Sequence, residues 1–265
     1  MTRVVAAAVL VVIAGIGLLA QQAGPADRPS PRTDQNSALA HEDLRKKKTQ
    51  GQIDVYFEGD SIVRRWGATD YPQLLENWKA NFTGWNAADF GWGADRIEHM
   101  LWRLDNGEIA GLHPKIVVIL AGTNNVGSRP GGPEKTADIT RGLRALVDRF
   151  RRATPDATVV LTAILPRNDN MAVMPEIARI NANLAKLADG KTVRFLNVND
   201  KLADKSGKLL DGMMNADKLH PTIKGYQVWA DALKPILRER LGPPAATDHA
   251  PPPTGDPSAR RGGLD

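Results

Sequence analysis

The stretch Ile53-Asp54-Val55-Tyr56-Phe57-Glu58-Gly59-Asp60-Ser61 joins an apolar run of strand length to three small or polar residues. That order reads as a short parallel strand handing the chain to a helix. In an open α/β sheet such a turn lies at the carboxyl edge, where these folds bind their ligands. It also sets the Ser61 hydroxyl beside the amino end of a helix, an environment that suits a developing negative charge. Three such residues occur together often, so the reading depends on what the rest of the chain supplies.

Outward from this turn, strand and helix patterns alternate. Residues 71–81 carry Leu74, Leu75 and Trp78 at helical spacing, and residues 85–88 read as a second short strand. Ile97, Leu101 and Leu104 share one helical face. Ile116-Val117-Val118-Ile119-Leu120 is β-branched enough for a strand buried on both sides. Residues 137–152 repeat apolar side chains at Ile139, Leu143, Leu146, Val147 and Phe150, an amphipathic helix. A buried strand at 158–164, a helix at 175–188, a strand at 193–198 and a closing helix at 224–241 complete the series. The alternation predicts a parallel sheet covered on both faces. Right-handed crossovers make it a three-layer α/β/α sandwich with a central, mostly parallel five-stranded sheet, flavodoxin-like in outline.

The 265 residues suit one domain with appendages. Arg3 precedes an apolar stretch from Val4 to Ala20, which reads as a signal peptide or a membrane anchor over residues 1–23. Ala20, Ala23 and Ala26 are candidate cleavage points. Residues 24–50 are expected to be a linker followed by a short helix, 51–242 the folded domain, and 243–265 a disordered Pro/Gly-rich tail. The N-terminal segment places the domain outside the cytoplasm, secreted or in the cell envelope, with a membrane tether if it is retained. Net charge is +5, and Arg45-Lys46-Lys47-Lys48 is the one dense basic run, read as a solvated helix face or part of the linker. No motif accompanies it, so nucleic acid is not an expected partner. The absence of cysteine excludes disulfides and thiolate chemistry. His41-Glu42 opens like a zinc-protease motif, but Arg45 occupies the second histidine position. No metal or cofactor is expected.

Four segments carry chemistry: Gly59-Asp60-Ser61, Phe90-Gly91-Trp92-Gly93-Ala94-Asp95, Gly122-Thr123-Asn124-Asn125 and Asp217-Lys218-Leu219-His220-Pro221. The first three follow predicted strands and should converge on one crevice. A serine nucleophile needs an adjacent base, usually a histidine oriented by a carboxylate. Asp217 and His220, three residues apart, can meet within one turn. Backbone N–H groups of Ser61 and Ala94 and the Asn124 amide could stabilise an oxyanion. Each feature has a plainer reading. Ser61 could cap a helix, Asp217 and His220 could pair on the surface, and Asn124 could brace a turn. Trp92 and Trp102 read more readily as packing residues than as substrate platforms. Met213 and Met214 either pack beneath the histidine or border the pocket.

Taken together these blocks resemble the SGNH (GDSL) hydrolase superfamily. Leu101-Trp102-Arg103-Leu104, Asn106-Gly107-Glu108, Pro114-Lys115-Ile116-Val117-Val118 and Leu165-Pro166-Arg167 look like its branch of platelet-activating-factor acetylhydrolase catalytic subunits and their bacterial relatives. The resemblance spans roughly residues 55–241. It implies Ser61 as nucleophile, His220 as base, Asp217 as its partner, and Ser61, Ala94 and Asn124 around the oxyanion. It further implies a serine esterase acting on short acyl esters, on a glycan or a phospholipid, and a homodimer. Ala94 departs from the family's glycine and would be strained at positive φ. Asn125 stands where many relatives have aspartate. The Ala94 departure is also the support for an alternative, a non-catalytic glycan- or lipid-binding protein on the same scaffold. A flavodoxin-like nucleotide binder using residues 91–94 lacks a matching phosphate-loop motif.

Overall fold

The computed structural model describes residues 24–260. The expected signal peptide or anchor over residues 1–23 lies outside the described residues, as do residues 261–265. The chain runs α1 (Gln35–Lys47), β1 (Val55–Gly59), α2 (Ser61–Gly67), α3 (Pro72–Phe82), β2 (Ala87–Asp89), α4 (Ile97–Asp105), β3 (Ile116–Leu120), α5 (Thr123–Val126), α6 (Gly132–Ala153), β4 (Thr158–Thr162), α7 (Met174–Ala185), β5 (Val193–Leu196), α8 (Asn199–Leu202) and α9 (Ile223–Leu241). Among the described residues, no helix is long and apolar enough to cross a membrane.

The sheet has five strands, all parallel, in the order β2-β1-β3-β4-β5. From β1 the chain steps outward to β2, then crosses back to lay β3 on the other flank of β1. The reversal opens a crevice beyond the carboxyl ends of β1 and β3. Alternating side chains divide the core in two. Tyr56, Val117, Ile119, Val159 and Leu161 face α4, α6 and α7, while Val55, Phe57, Ile116, Val118 and Val160 face α2, α3, α8 and α9. The second face holds an aromatic cluster. Phe57 lies 4.6 Å from Trp78 and 6.3 Å from Trp229, and Trp66 lies 4.8 Å from Tyr226, between ring centroids. Each such pair adds about 0.5–1.5 kcal/mol beyond burial, so α2 and α9 are fixed to β1 and to each other.

Three expectations are corrected here. The tail is not disordered through residue 260. Ala245 N donates to Gly84 O at 2.9 Å, Gln52 N to His249 O at 2.8 Å and Thr69 N to Thr254 O at 3.1 Å. These bonds give the strap order that its apolar content could not, and Pro251-Pro252-Pro253 lowers the entropy lost on docking. The segment ahead of α1 is packed too: Ala26 is fully buried and its N–H donates to the Asp138 carboxylate at 3.2 Å. The basic run is not uniformly solvated. Lys47 is buried, its ammonium donating to Asp89 O at 2.7 Å, and Lys48 reaches the Ala110 carbonyl at 2.7 Å. Burial lowers the Lys47 pKa to about 8, against the pull of Asp89.

Candidate active site

Ser61 opens α2 directly beyond β1. Asp60 caps the helix, its Oδ1 accepting from Ile62 N at 2.9 Å, so the capping reading falls to Asp60 and leaves the Ser61 hydroxyl available. Ser61 N is among the first N–H groups of the helix, which have no intrahelical acceptor. Burial raises the Asp60 carboxyl to about 7.

The histidine arrives from the far end of the chain. Residues 215–222 form a tight loop in which Asn215 N donates to His220 O at 2.8 Å and Lys218, at φ +57°, turns the backbone. Thr222 caps α9, accepting from Gly225 N at 3.3 Å. The Tyr226 hydroxyl on α9 donates to Ile62 O on α2 at 2.7 Å. This bolt between the helices brings His220 Nε2 to 2.8 Å from Ser61 Oγ. On the other side of the ring, Nδ1 lies 2.8 Å from Asp217 Oδ2, while Asp217 Oδ1 accepts from His220 N and from Leu219 N, each at 3.0 Å. The Asp217 and His220 pair is therefore one arm of a continuous chain of hydrogen bonds to Ser61.

Burial lowers His220 below the ordinary imidazole value. The Asp217 hydrogen bond opposes that shift, and the nearby Arg65 cation reinforces it. Burial alone would raise Asp217, but the two N–H donors and the imidazole hold it below its usual range. Arg65, one turn along α2 from Ser61, stands 3.6 Å from Asp217 Oδ2.

Two further loops close on the same point. Gly122 takes φ +107° at the end of β3 and turns the chain into α5, placing Asn124. Asn124 Nδ2 donates to Asp95 O at 2.8 Å, which leaves its second amide hydrogen for a ligand. Asn125 is buried and anchors α4, accepting from Ile97 N at 3.0 Å and donating to Glu98 at 2.8 Å. The 91–95 loop lies against the start of α2, with Trp92 N donating to Gly59 O at 3.0 Å. Ala94 adopts φ +61°, so the strain anticipated for an alanine here is present. Among the described residues, three non-glycine residues have positive φ, and two of them, Ala94 and Lys218, sit in these loops. Strain of this kind persists only where surroundings enforce it. Asp95 anchors the carboxyl end of this loop. Its carboxylate accepts from Arg103 Nε at 2.8 Å, and Arg103 also pairs with Glu58 at 2.6 Å and with Glu108, all of them buried.

Trp92 is a packing residue, 7% exposed, its indole N–H donating to Ser37 Oγ at 2.8 Å. Met213 and Met214 are buried with the aromatic face of the core. The sequence reading assigned no role to Arg65, Arg167 or Arg32. Arg167 is 5% exposed and donates to Thr123 O at 3.0 Å, next to Asn124. The spacing of Arg65 from Ser61, one helical turn, was the available signal. Nothing in the sequence marks Arg32.

Residues 57–228 match the model of the GDSL-like Lipase/Acylhydrolase family. The bovine (Bos taurus) platelet-activating factor acetylhydrolase IB subunit alpha1 is 31% identical over 240 residues, covering 88% of this chain and 97% of that protein. Its rat (Rattus norvegicus) counterpart is 32% identical, covering 82% and 90%. Among solved structures, a protein from Streptococcus pneumonia described as a platelet activating factor superposes with a TM-score of 0.60 at 26% identity, covering 76% of this chain and 92% of that one. A GDSL-like lipase from Bacteroides thetaiotaomicron, with a TM-score of 0.60 at 21% identity and coverage of 77% and 96%, shares the fold. The parallel sheet, the loops gathered at its carboxyl edge and these matches converge: the chain belongs to the GDSL-like lipase/acylhydrolase family of the SGNH superfamily and is an ester-hydrolysing enzyme.

Proposed function

We propose that the protein hydrolyses short-chain acyl esters, acetyl esters foremost, with Ser61 as nucleophile, His220 as general base and Asp217 as its orienting carboxylate. The observation that carries this reading is the unbroken hydrogen-bond chain from Ser61 Oγ through His220 to Asp217, 2.8 Å at each step. His220 Nε2 takes the Ser61 proton as Oγ attacks the acyl carbon. Asp217 accepts from Nδ1–H, fixes the tautomer and stabilises the imidazolium that forms. The oxyanion is met by the N–H groups of Ser61 and Ala94 and by the Asn124 amide. His220 then protonates the leaving alcohol, and water, activated by the same base, releases the acid and restores Ser61. No step uses a metal.

The acetyl preference rests on the name acetylhydrolase borne by the relatives. The apolar stretch from Val4 to Ala20 supports an extracytoplasmic setting, where acetylated envelope glycans and phospholipids are the candidate substrates. The decisive comparison is turnover of p-nitrophenyl acetate and butyrate by the wild type and by Ser61→Ala. Loss of about 10⁴-fold or more in kcat is expected; equal rates would remove the assignment. Screening acetylated glycans against short-chain phospholipids then identifies the alcohol.

A further inference from the structure

We infer that Arg32, in the segment ahead of α1, is a positioning residue that sets the direction of the Ala94 N–H; the inference rests on the proposed role of Ser61. The 91–95 loop is held by the domain at its two ends. Trp92 is fixed by Gly59 O, by Ser37 Oγ and by the Arg64 guanidinium 4.9 Å from its ring centroid. Asp95 is fixed by Arg103 and by Asn124. Between them, Ala94 is exposed, and a Cβ placed on Gly93 would meet nothing within 4 Å. The side-chain bond to this middle part comes from Arg32, whose Nη1 donates to Gly93 O at 3.0 Å and approaches Asp95 Oδ1 at 3.4 Å.

That bond matters because Gly93 C=O and Ala94 N–H belong to one planar peptide unit, in which carbonyl and amide point in opposite directions. Holding the carbonyl on Arg32 keeps the amide hydrogen on the opposite side of the peptide plane. An alanine at φ +61° favours the alternative in which this peptide rotates and φ becomes negative. A glycine would have no such preference. Arg32 is itself tethered: its Nη2 lies 2.9 Å from Asp34 Oδ2, and Asp34 accepts from Ser37 N at 2.8 Å and Ser37 Oγ at 2.9 Å. Since Ser37 also holds Trp92, a closed circuit of bonds joins Arg32, Asp34, Ser37, Trp92 and Gly93. Arg32, Asp34 and Ser37 all precede the family-matched residues 57–228.

The test is a double-mutant cycle on the full chain with Arg32→Ala, Ala94→Gly and the pair. It is read by kcat and KM on p-nitrophenyl acetate and by the rate of Ser61 labelling with a fluorophosphonate, whose phosphoryl oxygen occupies the oxyanion position. Arg32→Ala is expected to lower kcat and labelling about tenfold with KM within about twofold, and to cost only about two- to threefold in the Ala94→Gly background. A merely structural contact would lower the melting temperature and cost the same in both backgrounds, which overturns the inference. So does an Arg32→Ala kcat within twofold of wild type. If Arg32→Ala does not fold, Arg32→Met, which keeps the apolar stem and removes the donor to Gly93 O, replaces it in the cycle; a loss equal in both backgrounds again overturns the inference. A wild type with neither Ser61-dependent turnover nor labelling would instead sink the proposed function, and the inference with it.

Discussion

His220 can accept a proton only while its ring is neutral, and its surroundings keep it neutral to lower pH than a free imidazole. Burial and the Arg65 cation both disfavour the charged ring, and Asp217 only partly offsets them. The acidic limb of kcat/KM should therefore fall below the ordinary imidazole value. Arg65→Gln removes a positive charge that opposes protonation, so the limb should move upward; a pH–rate profile from pH 4 to 8 checks this, and a limb that stays or moves down contradicts it. Asn124 has a different part. One amide hydrogen is held by Asp95 O; if the other meets the oxyanion as proposed, Asn124→Ala should lower kcat by about 10²–10³ with KM little changed, as steady-state kinetics will show.

At the scale of elements, the close approach at the end of β1 explains why a glycine stands two residues before the serine. A Cβ on Gly59 would meet Val63 Cγ2 at 2.3 Å and the Leu120 carbonyl at 2.5 Å, so α2 could not turn off the strand beside β3. Gly59→Ala should cost about 2–3 kcal/mol, seen as a lower urea midpoint with an unchanged slope. The strands and helices were legible because their signals are local. The β-branched run Ile116–Leu120 and the 3.6-residue spacing of Ile139, Leu143, Leu146 and Phe150 report burial directly, and these elements lie where expected. The convergence of the 59–61, 90–95 and 122–125 loops was legible from the rule that strand ends share one crevice, and the arrival of His220 at Ser61 from motif order and the family resemblance. The Arg32 and Lys47 contacts were not. Lys47 is the same residue type as its neighbours Lys46 and Lys48, and what buries it is the position of Asp89, which no nearby residue announces. The strap was missed for a related reason: its order comes from backbone bonds, and composition records only side chains.

At the scale of the molecule, the strap after α9 closes back onto the start of α1. The strap runs from Gly242 past Gly84, Asn86 and Gln52 to Thr69, and Asp256 then accepts from Asn36 Nδ2 at 2.8 Å at the start of α1. Pro251-Pro252-Pro253 faces β2 across a cavity of about 220 Å³ that Trp78 and Phe82 also line. Removing residues 243–265 forfeits these bonds and opens the cavity beside β2. The melting temperature should drop by about 5–10 °C, corresponding to about 2–3 kcal/mol; calorimetry of the truncated chain measures it, and an unchanged midpoint would mean that the strap carries no net stabilisation. The hydrogen bond between Ser61 and His220 joins residues 159 positions apart, with four of the five strands laid down between them. The Ser61 hydroxyl is thus synthesised early and, under the proposed mechanism, stays an ordinary alcohol until the segment carrying His220 has docked. On that proposal a nascent or prematurely terminated chain should be chemically inert, with hydrolytic power arising only once folding is complete.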